Sequence, residues 1–218
     1  MDYDLAIIGA GWAGFNAALK AKGLGLEACL IEKGEVGGTC LNRGCIPTKS
    51  LIQSSKVFSL IKKAKKFGIE TENPIISFLK IQERKELIIR QLRQGMQFML
   101  KGIDLCNSYA QIISHNEIKL QDRIIKTKYI LIATGSMPTE LNSLRFEAKK
   151  VISSEDILNL KEIPASLLIV GGGVIGCEFA GLFSALGSQV TIAEKMPQLL
   201  PGEDKELAKK IENIFKKK

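Results

Sequence analysis

The sequence predicts an α/β protein with two Rossmann-like units in tandem, the second of them incomplete. A glycine-rich turn occurs twice, at 9–14 and at 171–176, each time between an apolar run and a helix-like segment. In both cases a second apolar run follows and ends at an acidic residue, Glu32 or Glu194, 23 residues after the first glycine of the turn. This order of strand, glycine turn, helix and strand is typical of a dinucleotide-binding βαβ unit.

The first unit begins with an apolar run from Asp4 to Ile8. Gly9, Gly11 and Gly14 follow, and glycines at this spacing permit a tight turn and a close approach of the backbone to a pyrophosphate at the helix N-terminus. Glu32 stands where an acidic residue accepts the hydroxyl groups of an adenosine ribose. A glycine turn that binds no ligand is the alternative interpretation.

Two cysteines, Cys40 and Cys45, lie five positions apart among glycines and ahead of Pro47 and Lys49. Five residues of regular helix advance about 7.5 Å, and the Cα atoms of a disulfide lie roughly 4.4 to 6.8 Å apart, so a bridge requires a bend. Gly44 permits such a bend. The N-terminus of the following helix and the charge of Lys49 favour a reactive thiolate. The pattern indicates a redox-active pair; two structural cysteines or half of a zinc site are the alternatives.

The stretch from Ile75 to Lys101 predicts a long helix. Its methionines are expected in the core and not at a cofactor. The apolar residues at helical spacing, which predict the buried face, are Leu79, Leu87, Leu92, Met96 and Met99.

The second glycine turn follows an apolar run from Ser166 to Val170. Gly171, Gly173 and Gly176 are expected to hold a second dinucleotide in the same way. Glu194 favours NAD over NADP, because a site for NADP prefers a basic residue that accepts the 2′-phosphate. A ligand-free turn is again the alternative.

The cysteine segment, residues 37–49, resembles the active-site helix of the class I flavoprotein disulfide reductases. Within that family, Leu41-Asn42 and Ile46-Pro47 are most similar to the dihydrolipoyl dehydrogenases. A second match is the segment 129–138, which resembles the Ala-Thr-Gly motif at the end of the first FAD-binding stretch. The resemblance extends over the whole chain in order.

The resemblance implies an FAD-binding Rossmann-like domain at 1–150, followed by an incomplete NAD-binding Rossmann-like domain at 151–218. Cys45 would face the flavin, Cys40 would exchange with the substrate disulfide, and Lys49 would sit by the flavin and pair with the NAD-domain residue Glu178. An acid in a first helical turn, favoured by the helix dipole, is the plainer interpretation of Glu178. The implied FAD contacts are Gly9, Gly11, Gly14, Glu32, Thr39, Lys49, Thr134 and Gly135. The implied NAD contacts are Gly171, Gly173, Gly176 and Glu194.

Members of this family run to about twice the present length, so the resemblance implies that the rest of the NAD domain and a dimerisation domain are missing. The last helix is expected from Glu203 to Lys218. The missing part would supply the histidine that accepts the substrate proton. His115, the one histidine of the chain, lies in a polar stretch and is interpreted as a turn residue. The chain is therefore expected to be incomplete as an enzyme, and the region after Val151 to be marginally stable.

The first functional hypothesis is electron transfer from dihydrolipoamide through the Cys40–Cys45 disulfide and FAD to NAD+. Its partner would be the lipoyl-bearing acyltransferase of a 2-oxo acid dehydrogenase complex. A related hypothesis replaces the substrate with mercuric ion or another disulfide. The remaining alternatives are a truncated, inactive remnant and one chain of a split reductase, whose second chain carries the missing domains.

The composition of the chain argues against a nucleic-acid-binding protein and a membrane-spanning protein. The chain has 218 residues, 45% of them hydrophobic, and a formal net charge of +8. Its lysine clusters, at 62–66 and at the tail, lack interleaved aromatic residues and predict solvated helix faces and no nucleic-acid site. No apolar run is long enough to predict a membrane span, and no metal site is predicted. We expect a cytoplasmic protein, in which a reactive disulfide is more often catalytic than structural.

Overall fold

A computed structural model of the chain describes residues 1–147 and 150–217. The chain divides into two compact units: unit 1 comprises 1–47 and 87–145, and unit 2 comprises 48–86 and 146–218. Residues 148, 149 and 218, which belong to the predicted domains 1–150 and 151–218, lie outside the described residues. The boundary between those two domains stays a prediction.

Unit 1 is built around a six-stranded sheet with the strand order β3-β2-β1-β6-β5-β4. The first four of these strands run parallel, and β5 and β4 continue the sheet antiparallel. The long strand β6 belongs to both the parallel and the antiparallel part of the sheet, because its start pairs with β5 and the remainder pairs with β1. The strands are β1 (Tyr3–Ile8), β2 (Ala28–Glu32), β3 (Asp104–Asn107), β4 (Gln111–Ile112), β5 (Glu117–Lys119) and β6 (Ile124–Ile132).

Alternating side chains of the central strands bury both faces of this sheet. On one face, Ile7 and Leu30 pack against Phe15 and Ala18 of helix α1 (Trp12–Gly23). On the other face, neighbouring strand residues such as Cys29 pack against the antiparallel strands. A parallel sheet covered on both faces requires strands that are apolar at nearly every position, which is how the first apolar run could be recognised.

Three helices follow β2 along the chain: α2 (Gly38–Arg43), α3 (Cys45–Lys62) and α4 (Phe78–Met99). The long helix predicted from 75 to 101 is α4, but most of its predicted buried face is wrong. Met96 is buried, whereas Leu79, Leu87, Leu92 and Met99 are exposed. The buried stripe also contains Phe78, Lys85 and Ile89. The helix carries apolar residues on more than one side. Their spacing alone therefore did not distinguish its buried face from its exposed face.

Unit 2 contains a parallel pair of strands, β7 (Ser166–Val170) and β8 (Gln189–Ala193). Helix α5 (Val174–Leu186) connects them, and its Phe183 lies in a core with Leu51 and Phe78. The last helix is α6 (Lys205–Phe215), shorter than the predicted range 203–218, of which residue 218 lies outside the described chain.

One charged side chain lies in the core of unit 2. The ammonium of Lys85 donates to the carbonyl of Leu158 at 2.7 Å, at a short 3-10 helix (Asp156–Asn159), and pairs with Glu86 at 2.9 Å. A buried cation needs such partners, because an unpaired charge in the core is costly.

The predicted fold class, α/β with a parallel Rossmann-like core, is confirmed. Within residues 1–147 and 150–217, none of the helices combines the length and the hydrophobicity needed to span a bilayer.

Candidate functional site

The glycine turn after β1 brings the carboxyl ends of three strands of unit 1 together. Gly9 has a φ of +105°, and a Cβ there would lie 2.3 Å from the carbonyl oxygen of Ala133, which follows β6. Its amide donates to the carbonyl of Ile31 in β2 at 2.7 Å. A Cβ on Gly14 would lie 1.8 Å from the Gly9 oxygen, so only glycine lets α1 approach β1 this closely.

Glu32, at the end of β2, binds this turn through one carboxylate oxygen and its own following loop through the other. The amide of Ala10 donates to one oxygen at 2.7 Å, and the amide of Gly34 donates to the other at 2.8 Å. The acidic residue therefore lies directly beside the glycine turn, as an adenosine-binding carboxylate does in this type of unit.

Unit 2 repeats the turn and its carboxylate contacts, although a Cβ on Gly171 would meet nothing within 4 Å. Gly171 has a φ of +108°, and a Cβ on Gly176 would lie 2.1 Å from the Gly171 oxygen. The carboxylate of Glu194 accepts from the amides of Gly172 at 2.6 Å and Met196 at 2.7 Å. These backbone donors, that of Met196 first, hold the pKa of Glu194 below its usual range. The sequence repeat is thus a repeat of structure.

Both glycine turns leave a helix N-terminus without a capping side chain. Gly11 and Gly173 are the N-cap residues of α1 and α5, and neither first turn contains an acidic residue. The interpretation of Glu178 as a first-turn acid is therefore wrong, because α5 begins at Val174 and Glu178 follows its first turn. By contrast, α6 has the side chain of Asp204 as its cap, which accepts from the amides of Glu206 and Leu207. The free amides at the starts of α1 and α5 fit the pyrophosphate of a dinucleotide.

The two cysteines lie where α2 ends and α3 begins. The chain bends at Gly44, with a φ of −147° and a ψ of −105°, and this is the interruption that the spacing required. Cys40 and Cys45 are free thiols in this structure. Cys45 is exposed and Cys40 is half-buried, so the pair is accessible from solvent.

Burial acts against a thiolate at Cys40, whereas the expected activation concerned a thiol near the N-terminus of α3, which begins at Cys45. Burial raises the pKa of the Cys40 thiol above its ordinary value, and the hydrogen bond with Cys45 raises it further. A side-chain hydrogen bond from Trp12 and one from the backbone of Cys45 act in the opposite direction. The prediction considered the helix dipole and the charge of Lys49 but not desolvation.

The cysteine segment touches the glycine turn of unit 1. The amide of Gly37 donates to the carbonyl of Ala10 at 2.9 Å. A Cβ on Gly38 would lie 2.7 Å from the Cα of Gly11, which leaves room for glycine only. The thiol pair and the N-terminus of α1 therefore belong to one site.

In unit 2 the structure contains the ion pair expected between Lys49 and Glu178. The ammonium lies 2.6 and 2.8 Å from the two carboxylate oxygens. This bidentate contact joins α3 to α5. The side chains are 56% and 26% exposed, so the contact is a surface ion pair of modest energetic weight.

The remaining predicted residues lie at the edges of these sites. Thr39 is exposed in the first turn of α2, and Thr134 and Gly135 are exposed beyond the end of β6, where Gly135 has a φ of +73°. His115 is exposed between β4 and β5, as expected for a turn residue. In the described part of the chain, no cluster of three His, Cys, Asp or Glu side chains could hold a metal ion.

Sequence reasoning missed the residues that hold α2 in place. The side-chain nitrogen Nδ2 of Asn42 donates to the backbone carbonyls of Val36 at 3.0 Å and Gly38 at 3.1 Å. The side-chain oxygen Oδ1 of Asn42 accepts from the guanidinium of Arg93 at 2.8 Å. Arg93 also pairs with Glu35 at 3.4 Å. The position of Asn42 between the cysteines could have drawn attention to it, but a partner 51 residues away leaves no local signal.

Known proteins share these features. A sequence profile of the family described as pyridine nucleotide-disulphide oxidoreductase matches residues 3–218. The chain is 47% identical over 213 residues to a dihydrolipoyl dehydrogenase of Bacillus subtilis (strain 168), a match that covers 94% of this chain and 46% of that protein. It is 42% identical over 213 residues to the dihydrolipoyl dehydrogenase of Acholeplasma laidlawii, covering 94% of this chain and 63% of that protein.

Among solved structures, the chain is similar to the Cu(II) complex of the HOCl-induced flavoprotein disulfide reductase RclA from Escherichia coli. The TM-score is 0.83 at 32% identity, and the match covers 98% of this chain and 46% of that one. The chain thus spans about half the length of most of the relatives it matches.

The profile match includes both glycine turns, both carboxylates beside them and the cysteine pair, so the resemblance to the flavoprotein disulfide reductases is confirmed. The chain belongs to the pyridine nucleotide-disulphide oxidoreductase family.

Proposed function

We propose that this chain carries the electron-transfer part of a dihydrolipoyl dehydrogenase. FAD would bind at the glycine turn of unit 1, NAD would bind at the turn of unit 2, and Cys40 and Cys45 would form the redox pair. The observation that carries the proposal is the contact between the turn and the cysteine segment, in which Gly38 lies against Gly11. This contact supports a dinucleotide and a thiol pair that act together.

The FAD site would use the residues already described around α1. The uncapped amides after Gly11 would bind the pyrophosphate, and Glu32 would accept the ribose hydroxyls, as the repeat in unit 2 would do for NAD through Glu194. Thr39, Lys49, Thr134 and Gly135 are proposed as further FAD contacts. Bound FAD supplies two-electron chemistry that links a dithiol to a nicotinamide.

The thiol chemistry follows from the exposure of the pair. With the pair oxidised, a substrate thiolate attacks the Cys40 sulphur, the bond between Cys40 and Cys45 breaks, and Cys45 leaves as a thiolate. The second substrate thiolate attacks the substrate sulphur that is bonded to Cys40, which forms the cyclic substrate disulfide and releases the Cys40 thiolate. Two electrons have then moved from the substrate to the pair. The full reaction converts dihydrolipoamide and NAD+ into lipoamide, NADH and a proton.

Lys49 and Glu178 would act as an orienting ion pair. Their bidentate contact fixes the ammonium on α3, where Lys49 follows the cysteines by one helical turn in sequence. A fixed positive charge at that position would favour the anionic state of the site. The name dihydrolipoyl dehydrogenase, shared by relatives at 47% and 42% identity, supports the substrate and a lipoyl-bearing acyltransferase as partner.

Absorption spectroscopy tests the proposal on the purified chain. The chain is incubated with FAD, desalted, and mixed without oxygen with dihydrolipoamide or NADH. We expect retained flavin that bleaches with either reductant. Cys45→Ser should retain the flavin and lose bleaching by dihydrolipoamide only.

Cys106→Ser is the matched control for the cysteine change. Cys106 lies in the core on the opposite face of the sheet from α1, and a serine there can still accept from Arg123. This variant should behave as the unmodified chain does. Protein that keeps no flavin after desalting, or Cys45→Ser that still bleaches with dihydrolipoamide, would contradict the proposal.

A further inference from the structure

The end of helix α3 and the short 3-10 helix after it, Ala64–Phe67, form a segment of unit 2 that is both basic and apolar. Residues 56–69 contain five lysines and no acidic residue. Within the described part of the chain, none of these lysines forms an ion pair. The segment therefore carries five unpaired positive charges in a chain whose formal net charge is +8. The lysines are Lys56, Lys62, Lys63, Lys65 and Lys66.

One side of this segment is anchored in the protein. Leu51 of α3 lies in the hydrophobic core of unit 2, and Ala64 of the 3-10 helix is buried. A Schellman motif ends the segment: the amide of Gly68, whose φ is +74°, donates to the carbonyl of Lys65 at 3.1 Å, and the amide of Ile69 donates to the carbonyl of Ala64 at 3.2 Å. The segment is thus a folded element with a defined end.

The other side of α3 presents a second apolar stripe to solvent. Val57, Leu60 and Ile61 are exposed, and their spacing of i, i+3 and i+4 places them on one face of the helix. Leu60 is 61% exposed, and beyond the helix Phe67 and Ile69 are 72% and 56% exposed. The sequence predicts a solvated face for the lysines, and the structure adds large exposed apolar side chains beside them. Such a patch, rimmed by charge, is typical of an interaction surface.

The lysines lie close to this apolar stripe. Lys56 precedes Leu60 by four residues and Lys63 follows it by three, and both positions are neighbours of Leu60 on a helix surface. The Nζ atom of Lys62 lies 4.3 Å from the centroid of the Phe58 ring. Lysine stems of this kind cover apolar surface while the ammonium remains at its edge, where it can meet an anion.

A bilayer that contains anionic lipids matches both properties of the segment. Its phosphate groups attract lysines, and the boundary between headgroups and acyl chains takes up aromatic and aliphatic side chains directly beneath those phosphates. A second copy of the chain would bring lysines against lysines, which repel each other. An acidic protein surface would satisfy the charges, but it would need a fitted pocket for each exposed apolar side chain. The combination of charge and apolar exposure therefore favours the bilayer.

We propose that residues 56–69 form a peripheral binding surface for anionic lipid bilayers. The lysines contact the lipid phosphates, and Leu60 and Phe67 enter the boundary between headgroups and acyl chains. Binding of this kind takes place at the bilayer surface and requires no membrane-spanning helix. The inference does not rest on the proposed function, because the segment contains none of the residues of the glycine turns or of the cysteine pair.

Co-sedimentation of the full chain with lipid vesicles tests this surface. The vesicles consist of phosphatidylcholine with about a third of phosphatidylglycerol, or of phosphatidylcholine alone. We expect binding to the anionic vesicles at low salt, little binding to the neutral ones, and a loss of binding as salt screens the charges. A chain that does not sediment with the anionic vesicles at low salt would overturn the proposal. Binding to polyglutamate without binding to vesicles would overturn it as well, in favour of an acidic protein.

The role of the charges is tested with Lys63→Gln and Lys66→Gln together. A lysine near an anionic surface contributes about fivefold to affinity, so the double variant should bind about 25-fold more weakly. Lys119→Gln with Lys161→Gln is the matched control, since it removes the same charge from exposed positions outside the segment. An equal loss of binding in both double variants would show that only the net charge matters, and the proposal would be wrong.

The role of the apolar side chains is tested with Leu60→Ser and Phe67→Ser together, which keeps every lysine. We expect binding to the anionic vesicles to fall about tenfold or more, because this apolar surface no longer leaves water. Leu24→Ser with Tyr109→Ser is the control, since it changes an aliphatic and an aromatic side chain of similar exposure elsewhere. Vesicle binding by the Leu60 and Phe67 double variant that equals the binding of this control would contradict the proposal.

Discussion

Single glycines decide how closely helix and strand approach in each unit. At Gly14 a Cβ would lie 1.8 Å from the Gly9 carbonyl oxygen, and backbone cannot yield as a flexible side chain can. We therefore expect Gly14→Ala to displace α1 from β1 and to destabilise unit 1 by about 1–3 kcal/mol or more. Urea unfolding followed by the emission of Trp12, which lies in unit 1, measures this loss.

Gly23→Ala is the matched control at the end of the same helix. A Cβ at Gly23 meets nothing within 4 Å, so the alanine should be neutral or should stabilise α1 by up to about 1 kcal/mol. Equal unfolding midpoints for the two variants would show that the close approach at Gly14 carries no energetic weight.

At the residue scale, the sequence predicted the residues that recur at a set spacing within a motif. It did not predict the residues whose role depends on a contact with a distant part of the chain. Gly9, Gly14 and Glu32 could be found because a tight turn and a strand end leave a regular pattern. The close approach of Gly38 to Gly11, by contrast, depends on how two loops meet. No spacing within either loop contains that information.

At the scale of elements, α2 is a short helix whose position depends on one side chain. Six residues are too few for a stable isolated helix, so tertiary contacts must hold it. Asn42 supplies three of these, to Val36, Gly38 and Arg93. Asn42→Ala should loosen α2 and cost about 1–3 kcal/mol, because two carbonyls and the guanidinium each lose a hydrogen bond, although Arg93 keeps its ion pair with Glu35. Hydrogen exchange of the amides in 38–44 should accelerate.

Asn16→Ala is the control for that change. The Asn16 amide also donates to a carbonyl, that of Trp12 at 2.7 Å, but it lies exposed on α1, where water replaces it and alanine favours the helix. Exchange in 38–44 that is as slow in Asn42→Ala as in Asn16→Ala would mean that α2 is held by other contacts.

The elements themselves were largely predictable, whereas the buried side of α4 was not. The strands β1 and β2 are largely apolar, which is the pattern that a covered parallel sheet imposes, and β7 is apolar after Ser166, whereas β8 includes Gln189 and Thr191. Helix α4 passes from unit 2 into unit 1 along its length. Its buried residues therefore pack in two different units, Lys85 in unit 2 and Met96 in unit 1. A single helical period in the sequence does not predict which residues of α4 are buried.

At the scale of the whole chain, the two glycine-turn units differ in how completely their sheets are covered. Strand β1 is paired on both sides, by β2 and β6, and its Ala6 and Ile7 are fully buried on opposite faces. Within the described part of the chain, strand β7 is paired with β8 alone, and its Leu168 and Val170 are 64% and 54% exposed. The equivalent strands of the repeat thus have unequal protection from water.

We expect this difference to appear in native-state hydrogen exchange. Amides of Leu167 to Val170 should exchange at least about tenfold faster, after correction for intrinsic rates, than those of Ala6 to Ile8, because strands with few partners open locally at low cost. Leu168→Thr should leave the rate in β7 nearly unchanged, since most of that side chain is already in water. Equal protection of the two strands would contradict the expectation that unit 2 is marginal, and would mean that the core around Phe183 stabilises β7 as well as two neighbouring strands stabilise β1.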